Sequence, residues 1–524
     1  MRSPQKFHFA DTGCTISFMA KRSALVDLAI NDRRKGKPIF EWLYDELRSA
    51  ILDGRLKRGV RLPSTRELAV RYCVARGTVV TVFEQLHAEG YLEGKVGAGT
   101  FVNTMLPEDL INVKAKSAWM RRPELDAPVK ARIELSRYGE RLGAPPPGMV
   151  QPARAFRPLE PALDEFPIGL WAQIIARRMR RASRTLLADN DSRGYRPLRE
   201  AVASYLGVAR GVRCEPDQVV IVSGIQHGLD LTARLMLDPG DRVLVEDPCH
   251  PIVVAMLKAL GATIVPVPVD SHGINIVAAQ RESARARLIY VTPAHQFPLG
   301  VTMSAERRLA LLAVARRTGA VIFEDDYNSE YRYRGRPIPA LQGLNGGDSA
   351  VVFAGSFSKV LLPSLRLGYL VVPAELVNKF AAARFVSDRH SSIIDQAAMC
   401  DFINQGHFGR HIRRMRELYA SRLSVLRDLV REQLHGVLDL EETEAGLHTV
   451  GWLGTSLSAE AAAREAVAHK LELFPISRFA LKSATREGLL MGFAGIDTKE
   501  IRRGVDRLAV VLDHSSSRAK RQSQ

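Results

Sequence analysis

The sequence predicts two domains of different class, a small winged helix-turn-helix over residues 36–104 and an α/β domain with a mostly parallel sheet over 155–513. Three observations carry this expectation. Near the N-terminus, helical apolar spacing gives way to two short strands around a glycine-rich tip. From Ala155 onward, continuous apolar runs alternate with longer helical stretches, the pattern of strands covered on both faces. Between them, residues 105–154 lose periodicity and mix their charges, which marks an interdomain linker. A chain of 524 residues is also too long for one ordinary domain.

Within the first region, Leu43, Leu47, Ala50 and Ile51 recur every three to four residues over 38–54, and Gly54 ends that helix. Ser64 opens the next, with Glu67 three residues on, the reciprocal capping box. A third helix is predicted from about Ala75 to Glu89, with Val79, Val80, Phe83 and Leu86 on its apolar side and Gly90 as its stop. The strands of the wing flank Lys95-Val-Gly97-Ala-Gly99. The linker contains Gly143-Ala-Pro-Pro-Pro-Gly148, whose prolines stiffen and extend the backbone. In the larger region, the strand-like runs are Val219–Val222, Arg242–Val245, Thr263–Val267, Arg287–Val291, Ala320–Phe323 and Ala350–Phe353. The end of the chain, 514–524, reads as a disordered tail.

Composition bounds the function. With 46% hydrophobic and 25% charged residues, the chain can bury a sizeable core. The net charge of +17 suits a nucleic-acid partner, because cations beside phosphates release counterions. Residues 1–105 hold 17 Lys and Arg against 11 Asp and Glu, so most of the excess lies elsewhere. No apolar run approaches the ~18 residues of a membrane span, and the start lacks the apolar stretch of a signal peptide, so a cytoplasmic protein is expected. Cys14, Cys73, Cys214, Cys249 and Cys400 are scattered without CxxC spacing, which argues against a disulfide framework or a zinc site.

Two constellations carry chemistry. The first is Leu62-Pro-Ser-Thr-Arg-Glu-Leu-Ala69 followed by Val74-Ala-Arg-Gly-Thr-Val79 and the wing. Together these resemble the GntR-type winged helix-turn-helix. The resemblance implies that the helix beginning near Ala75 enters the major groove of double-stranded operator DNA, with Arg76, Gly77 and Thr78 at its start. It also brings Ser64, Thr65 and Arg66 of the preceding helix, and Lys95 and Gly97 of the wing, to the DNA. An arginine binds guanine bidentately and helix N-termini offer N–H groups to phosphates. Two positions depart from the family pattern: Ala75 replaces the usual Ser or Thr cap, and Gly77 stands where a side chain is usual.

The second is Phe353-Ala-Gly-Ser-Phe-Ser-Lys359 with Arg366, about 35 residues after Val321-Ile-Phe-Glu-Asp-Asp-Tyr327. Residues 155–513 resemble class I aminotransferases of the fold-type I pyridoxal-phosphate superfamily. The resemblance implies that Lys359 forms a Schiff base with pyridoxal phosphate. Asp325, or Asp326 if the register slips, then faces the ring nitrogen, and Tyr327 donates to the ring oxygen. Ser223, Gly224, Ile225 and Gln226 would cradle the phosphate at a helix N-terminus with Ser356, Ser358 and Arg366. His250 would stack on the ring, and Arg478, or Arg486, would receive an effector carboxylate. His250 stands where tyrosine is more usual, and in Thr292-Pro-Ala-His-Gln-Phe297 a phenylalanine takes the slot of an asparagine.

Across residues 36–513, the two halves together resemble the MocR/GabR subfamily of GntR regulators. This implies a homodimer in which the reader domain of one subunit packs on the aminotransferase-like domain of the other. An amine, an amino acid or pyridoxal phosphate itself would then alter DNA binding. Two rivals stand beside it: a working aminotransferase with an appended reader, weakened by Phe297 and His250, and a repressor whose pocket holds no cofactor.

Overall fold

The computed structural model describes residues 37–95, 97–109, 134–143 and 154–522, apart from 336, 346, 455–456 and 483–485. It divides into two compact units, residues 1–132 and 133–524.

In the first unit, α1 (Ile39–Leu52), α2 (Thr65–Arg71) and α3 (Arg76–Ala88) precede the hairpin of β1 (Leu92–Lys95) and β2 (Gly99–Val102). α1 buries Leu43, Leu47, Ala50 and Ile51. α2 begins at a capping box in which Ser64 Oγ accepts from the Glu67 N–H and the Glu67 carboxylate accepts from the Ser64 N–H at 2.8 Å. α3 has Ala75 at its N-cap with no side-chain bond. Its buried face is Val79, Val82, Phe83 and Leu86, so Val82 takes the place predicted for Val80, which is half-buried. The helix turns its face slightly because Val82 is one turn on from Val79. The antiparallel hairpin pairs Leu92 with Val102 and Lys95 with Gly99. Gly97 and Gly99, at φ +77° and +106°, adopt the left-handed region that a tight wing requires. The unit continues past the predicted boundary at 104. Leu106 enters the core, and Asp109 accepts two bonds from Arg58 at 2.6 and 2.9 Å.

The second unit begins within the predicted linker. Arg137–Arg141 is helical, capped by Ser136, with Tyr138 beneath the Arg234 guanidinium at 5.5 Å. The proline run at 144–148 lies outside the described residues. The main sheet has eight strands in the order β3 (Val219–Val222), β10 (Gly368–Val371), β9 (Val351–Ser356), β8 (Val321–Asp326), β7 (Ala286–Val291), β4 (Arg242–Asp247), β5 (Thr263–Asp270) and β6 (Gly273–Ile274). β4, β5, β7, β8 and β9 pair in parallel. β10 runs antiparallel to β3 and β9, and β6 antiparallel to β5. Alternate residues enter different cores: Val243, Val245, Leu288 and Tyr290 on one face, Leu244, Ile289, Val291 and Ile322 on the other. This double coverage explains the unbroken apolar runs.

A second, antiparallel sheet orders β11 (Leu438–Leu440), β12 (His448–Leu453), β14 (Gly488–Gly492) and β13 (Phe474–Pro475). The helices His407–Gln433, Ala459–Ala468 and Thr498–Gln522 accompany it. The last helix runs on to Gln522, into the stretch 514–524 expected to be a disordered tail. That stretch holds no glycine or proline to interrupt it. Among the described residues, no helix is long and apolar enough to cross a membrane.

Candidate functional site

On the first unit, Arg66 is exposed in the first turn of α2, and Arg76 and Gly77 are exposed at the start of α3. Among the described residues, neither arginine is paired with an acid. Thr65 and Thr78 are half-exposed beside them, and Ser64 Oγ serves as the acceptor of the capping box. Lys95 is held back on the wing, 3.0 Å from Glu93 and 5.2 Å above the Phe101 ring. Arg61 was not singled out in the sequence. Its Nε lies 2.8 Å from where a Cβ on Gly99 would stand, so this exposed arginine lies close beside the wing backbone, where Gly99 is favoured by its φ of +106°.

In the second unit, strands β3, β4, β8 and β9 deliver their carboxyl ends to one cavity of about 230 Å³, the usual place for a ligand in an open α/β sheet. Gly224, Ile225, Gln226, His250, Asp325, Tyr327, Ser356, Ser358, Lys359 and Arg366 all line it.

Each is positioned for a local reason. Gly224, at φ +99°, turns the chain from β3 into the helix Ile225–Met236, whose first N–H groups have no intrahelical partner. The Arg366 guanidinium lies 3.6 Å from where a Gly224 Cβ would stand. Arg366 itself holds φ 46°, ψ 44°, a left-handed backbone that costs an arginine roughly 1 kcal/mol or more. Helix terminus and guanidinium together make an anion cradle. Ser356 Oγ accepts from the Ser358 N–H at 3.2 Å, which leaves its own proton to donate. Ser358 Oγ is occupied by the Leu367 backbone.

Alternation along β8 separates the two candidate carboxylates. Asp325 faces the cavity, whereas Asp326 turns to the buried Arg210 at 2.8 Å and Glu324 accepts from the Leu341 and Gln342 N–H groups. Asp325 Oδ2 accepts from the Tyr290 hydroxyl at 2.6 Å, and Oδ1 is buried without a partner. Burial pushes the Asp325 carboxyl up to about 7 and lowers the Lys359 amine. The strongest charge acting on that amine is Glu160, which raises it, and its Nζ donates to the Leu159 carbonyl at 3.3 Å. His250 Nδ1 accepts from the Ile252 N–H at 3.2 Å and caps the helix Pro251–Ala259. Burial, then Lys359, pushes this imidazole down to about 4, so it is neutral with its proton on Nε2. Its ring lies 4.9 Å from Phe297.

Two side chains have partners that the sequence did not suggest. The Tyr327 hydroxyl, on the cavity wall, donates to the His295 carbonyl at 3.0 Å and lies 2.9 Å from His295 Nδ1. His295 was overlooked because a histidine after Thr292-Pro-Ala reads as a loop residue; it is buried, packed edge-on to His448 at 5.0 Å. Neither candidate arginine of the C-terminal region lines the cavity. Arg478 is bound to both oxygens of Glu460, at 2.8 and 3.1 Å, and Arg486 lies 5.5 Å over the Trp452 ring. An exposed acid one helix away outcompeted the distant cavity. Tyr290 and Thr292 were also missed, since in the sequence both look like strand core.

Four buried carboxyls, Asp325, Glu246, Glu324 and Glu330, are each pushed up to about 7 by burial. Unfolded, such groups ionise near ~4. The folded chain therefore holds more protons between these values, and protein stripped of cofactor should lose stability as pH rises from about 4 to about 7. Asp325→Asn should make that fall in unfolding midpoint shallower; an unchanged slope would remove Asp325 from the group.

The fit to pyridoxal phosphate follows from the donor set: a lysine in a desolvated pocket, an anion cradle at a helix N-terminus, and an unpaired carboxylate oxygen suited to a protonated ring nitrogen. The fold and site therefore define a DNA-binding head joined to an aminotransferase-type cofactor domain. Comparison with known proteins agrees. Residues 41–102 match the gntR family of bacterial regulatory proteins, and residues 166–508 match aminotransferase class I and II. The chain is 39% identical to a probable rhizopine catabolism regulatory protein, MocR, of Rhizobium meliloti, over 92% of this chain and 95% of that one. It is 28% identical to the pyridoxine biosynthesis regulator PdxR of Corynebacterium glutamicum, over 88% and 93%. Among solved structures, the α-aminoadipate aminotransferase LysN of Thermus thermophilus is 26% identical, with a TM-score of 0.67 over 73% of this chain and 98% of that one. The chain belongs to the MocR-type GntR regulators, transcription factors that carry a pyridoxal-phosphate domain of the aminotransferase fold.

Proposed function

We propose that the cavity is the sensor of this regulator. Lys359 holds the cofactor covalently, and Asp325 faces its ring nitrogen with Tyr290 fixing the carboxylate. The N–H groups of Gly224, Ile225 and Gln226, with Ser356 and Arg366, hold its phosphate, while Ser358 sets the loop that carries Arg366. His250 and Tyr327 form the walls on either side. The bound cofactor supplies an aldehyde carbon open to amines and a ring that accepts electrons. An amine, an amino acid or pyridoxal phosphate itself acting here changes operator affinity, and the working form is a cytoplasmic homodimer whose α3 helices read the two half-sites.

The observation that carries this reading is the convergence of ten residues, from separate stretches of chain, on one cavity. The effect of a ligand is bounded by its differential affinity for the two conformations, so a shift in operator binding of ~1 to 3 kcal/mol is expected. A DNA-binding titration with and without pyridoxal phosphate and a panel of amines measures it, beside a keto-acid turnover assay. Turnover above ~1 s⁻¹ with no ligand effect on DNA binding would favour an aminotransferase instead.

A further inference from the structure

We propose that the helices Ala459–Ala468 and Thr498–Gln522 together carry a binding site for a divalent transition-metal ion of the zinc class, formed by Glu465, His469 and His514. None of the three lines the cofactor cavity, so the site is separate from the sensor reading and does not rest on it.

Glu465 and His469 stand four residues apart, one turn along the same face, with His469 at the C-cap of its helix. The last helix packs against this one and brings His514 alongside. His514 Nδ1 lies 3.5 Å from a Glu465 carboxylate oxygen, and the two imidazole rings are 6.3 Å apart between centroids. One ligand atom from each residue lies within 4.8 Å of the other two. Among the described residues, no other trio of histidine, cysteine or acid side chains meets in this way, and these three have no side-chain partner but one another.

The backbone that carries them is fixed, as a preorganised site requires. Ala459, Ala462 and Ala466 of the shorter helix and Leu508, Val511 and Leu512 of the longer are buried in one core cluster. Arg507 Nη1 donates to the His469 carbonyl at 3.3 Å, which ties the end of one helix to the flank of the other. The side chains themselves can close, since His514 is 61% exposed and Glu465 32%. A zinc ion lies ~2.0 to 2.1 Å from each ligand atom, which sets those atoms ~3.3 Å apart around it. The closure needed is about 1.5 Å, within the reach of side-chain rotation.

Two imidazoles and one carboxylate also select the class of ion. Imidazole nitrogen suits Zn²⁺, Ni²⁺, Co²⁺ and Cu²⁺, whereas Mg²⁺ and Ca²⁺ want a shell of oxygens that one carboxylate does not supply. Water completes the coordination beside three protein ligands. Bound there, the ion cross-links the last helix to its neighbour.

The test is equilibrium dialysis of the full-length, untagged, cofactor-loaded protein against Zn²⁺, with Mg²⁺ in a parallel series and the bound metal measured directly. Saturable binding of Zn²⁺ and not of Mg²⁺ is expected. His469→Ala and His514→Ala should each weaken it by on the order of tenfold or more, at least what the loss of an outer-shell partner costs a metal site. His435→Ala, which removes an exposed histidine outside the trio, should leave it unchanged. Hydrogen exchange supplies a second readout: Zn²⁺ should slow the amides of 465–469 and 510–515 in the parent and not in His514→Ala. The unfolding midpoint without metal shows that the variants fold. No saturable Zn²⁺ binding, binding of equal strength in the parent and both trio variants, or Mg²⁺ bound as tightly as Zn²⁺ overturns the proposal.

Discussion

Replacing Lys359 with alanine is expected to strip the protein of its covalently held cofactor and of its visible colour. Lys359 is the only lysine among the described residues of the cavity, and burial has already lowered its amine toward the neutral form that attacks an aldehyde. Borohydride followed by peptide mapping should label residues 353–369 in the parent protein and nothing in the variant. Removing a desolvated cation from a cavity should not harm folding, so the unfolding midpoint serves as the control. Retention of the absorbance band in the variant would reassign the attachment site.

The next largest effect is expected on DNA. Arg66→Ala and Arg76→Ala should each weaken operator binding by ~1 to 3 kcal/mol if the guanidinium reads a base, or lower the salt slope by about one unit if it meets a phosphate. Both side chains are exposed, so the variants should fold as the parent does. Unchanged binding in both would move the reading surface away from α2 and α3.

The elements that sequence revealed are those where local and tertiary demands agree. The capping box at Ser64 and the wing glycines are short-range signals, and the structure has them as the spacing implies. The strands of the main sheet stood out because both faces are buried. β10 was hidden inside the Lys359 motif, β11 and β13 are two or three residues long, and β12 and β14, though buried, are broken by His448, Thr449 and Gly451 or bounded by Gly488 and Gly492, so no long apolar run announces them. The cavity was legible wherever one residue type has one chemical use, as for Lys359, Asp325 and Arg366. It was illegible where long-range partners decide: Tyr327 turned to His295, and Arg478 was captured by Glu460. Those partners lie 32 and 18 positions away, beyond any local pattern. The helix that runs on to Gln522 had no apolar periodicity past 513 to announce it, although the segment is free of helix breakers.

One stretch of backbone ties the two sheets of the larger unit together. The carboxylate of Asp247, at the end of β4, accepts from the Leu481 and Lys482 N–H groups at 2.7 and 2.9 Å. Two residues on, the Cys249 N–H reaches the Phe479 carbonyl at 2.9 Å, and the Phe479 ring stands edge-on to Phe297 at 5.3 Å. The same stretch begins as β13, the edge of the C-terminal sheet. It works as a strut, pinned at one end to the tip of β4 and at the other to the outer sheet. Through the Phe479 ring it braces Phe297, so this wall of the cavity is backed by main chain held at both ends.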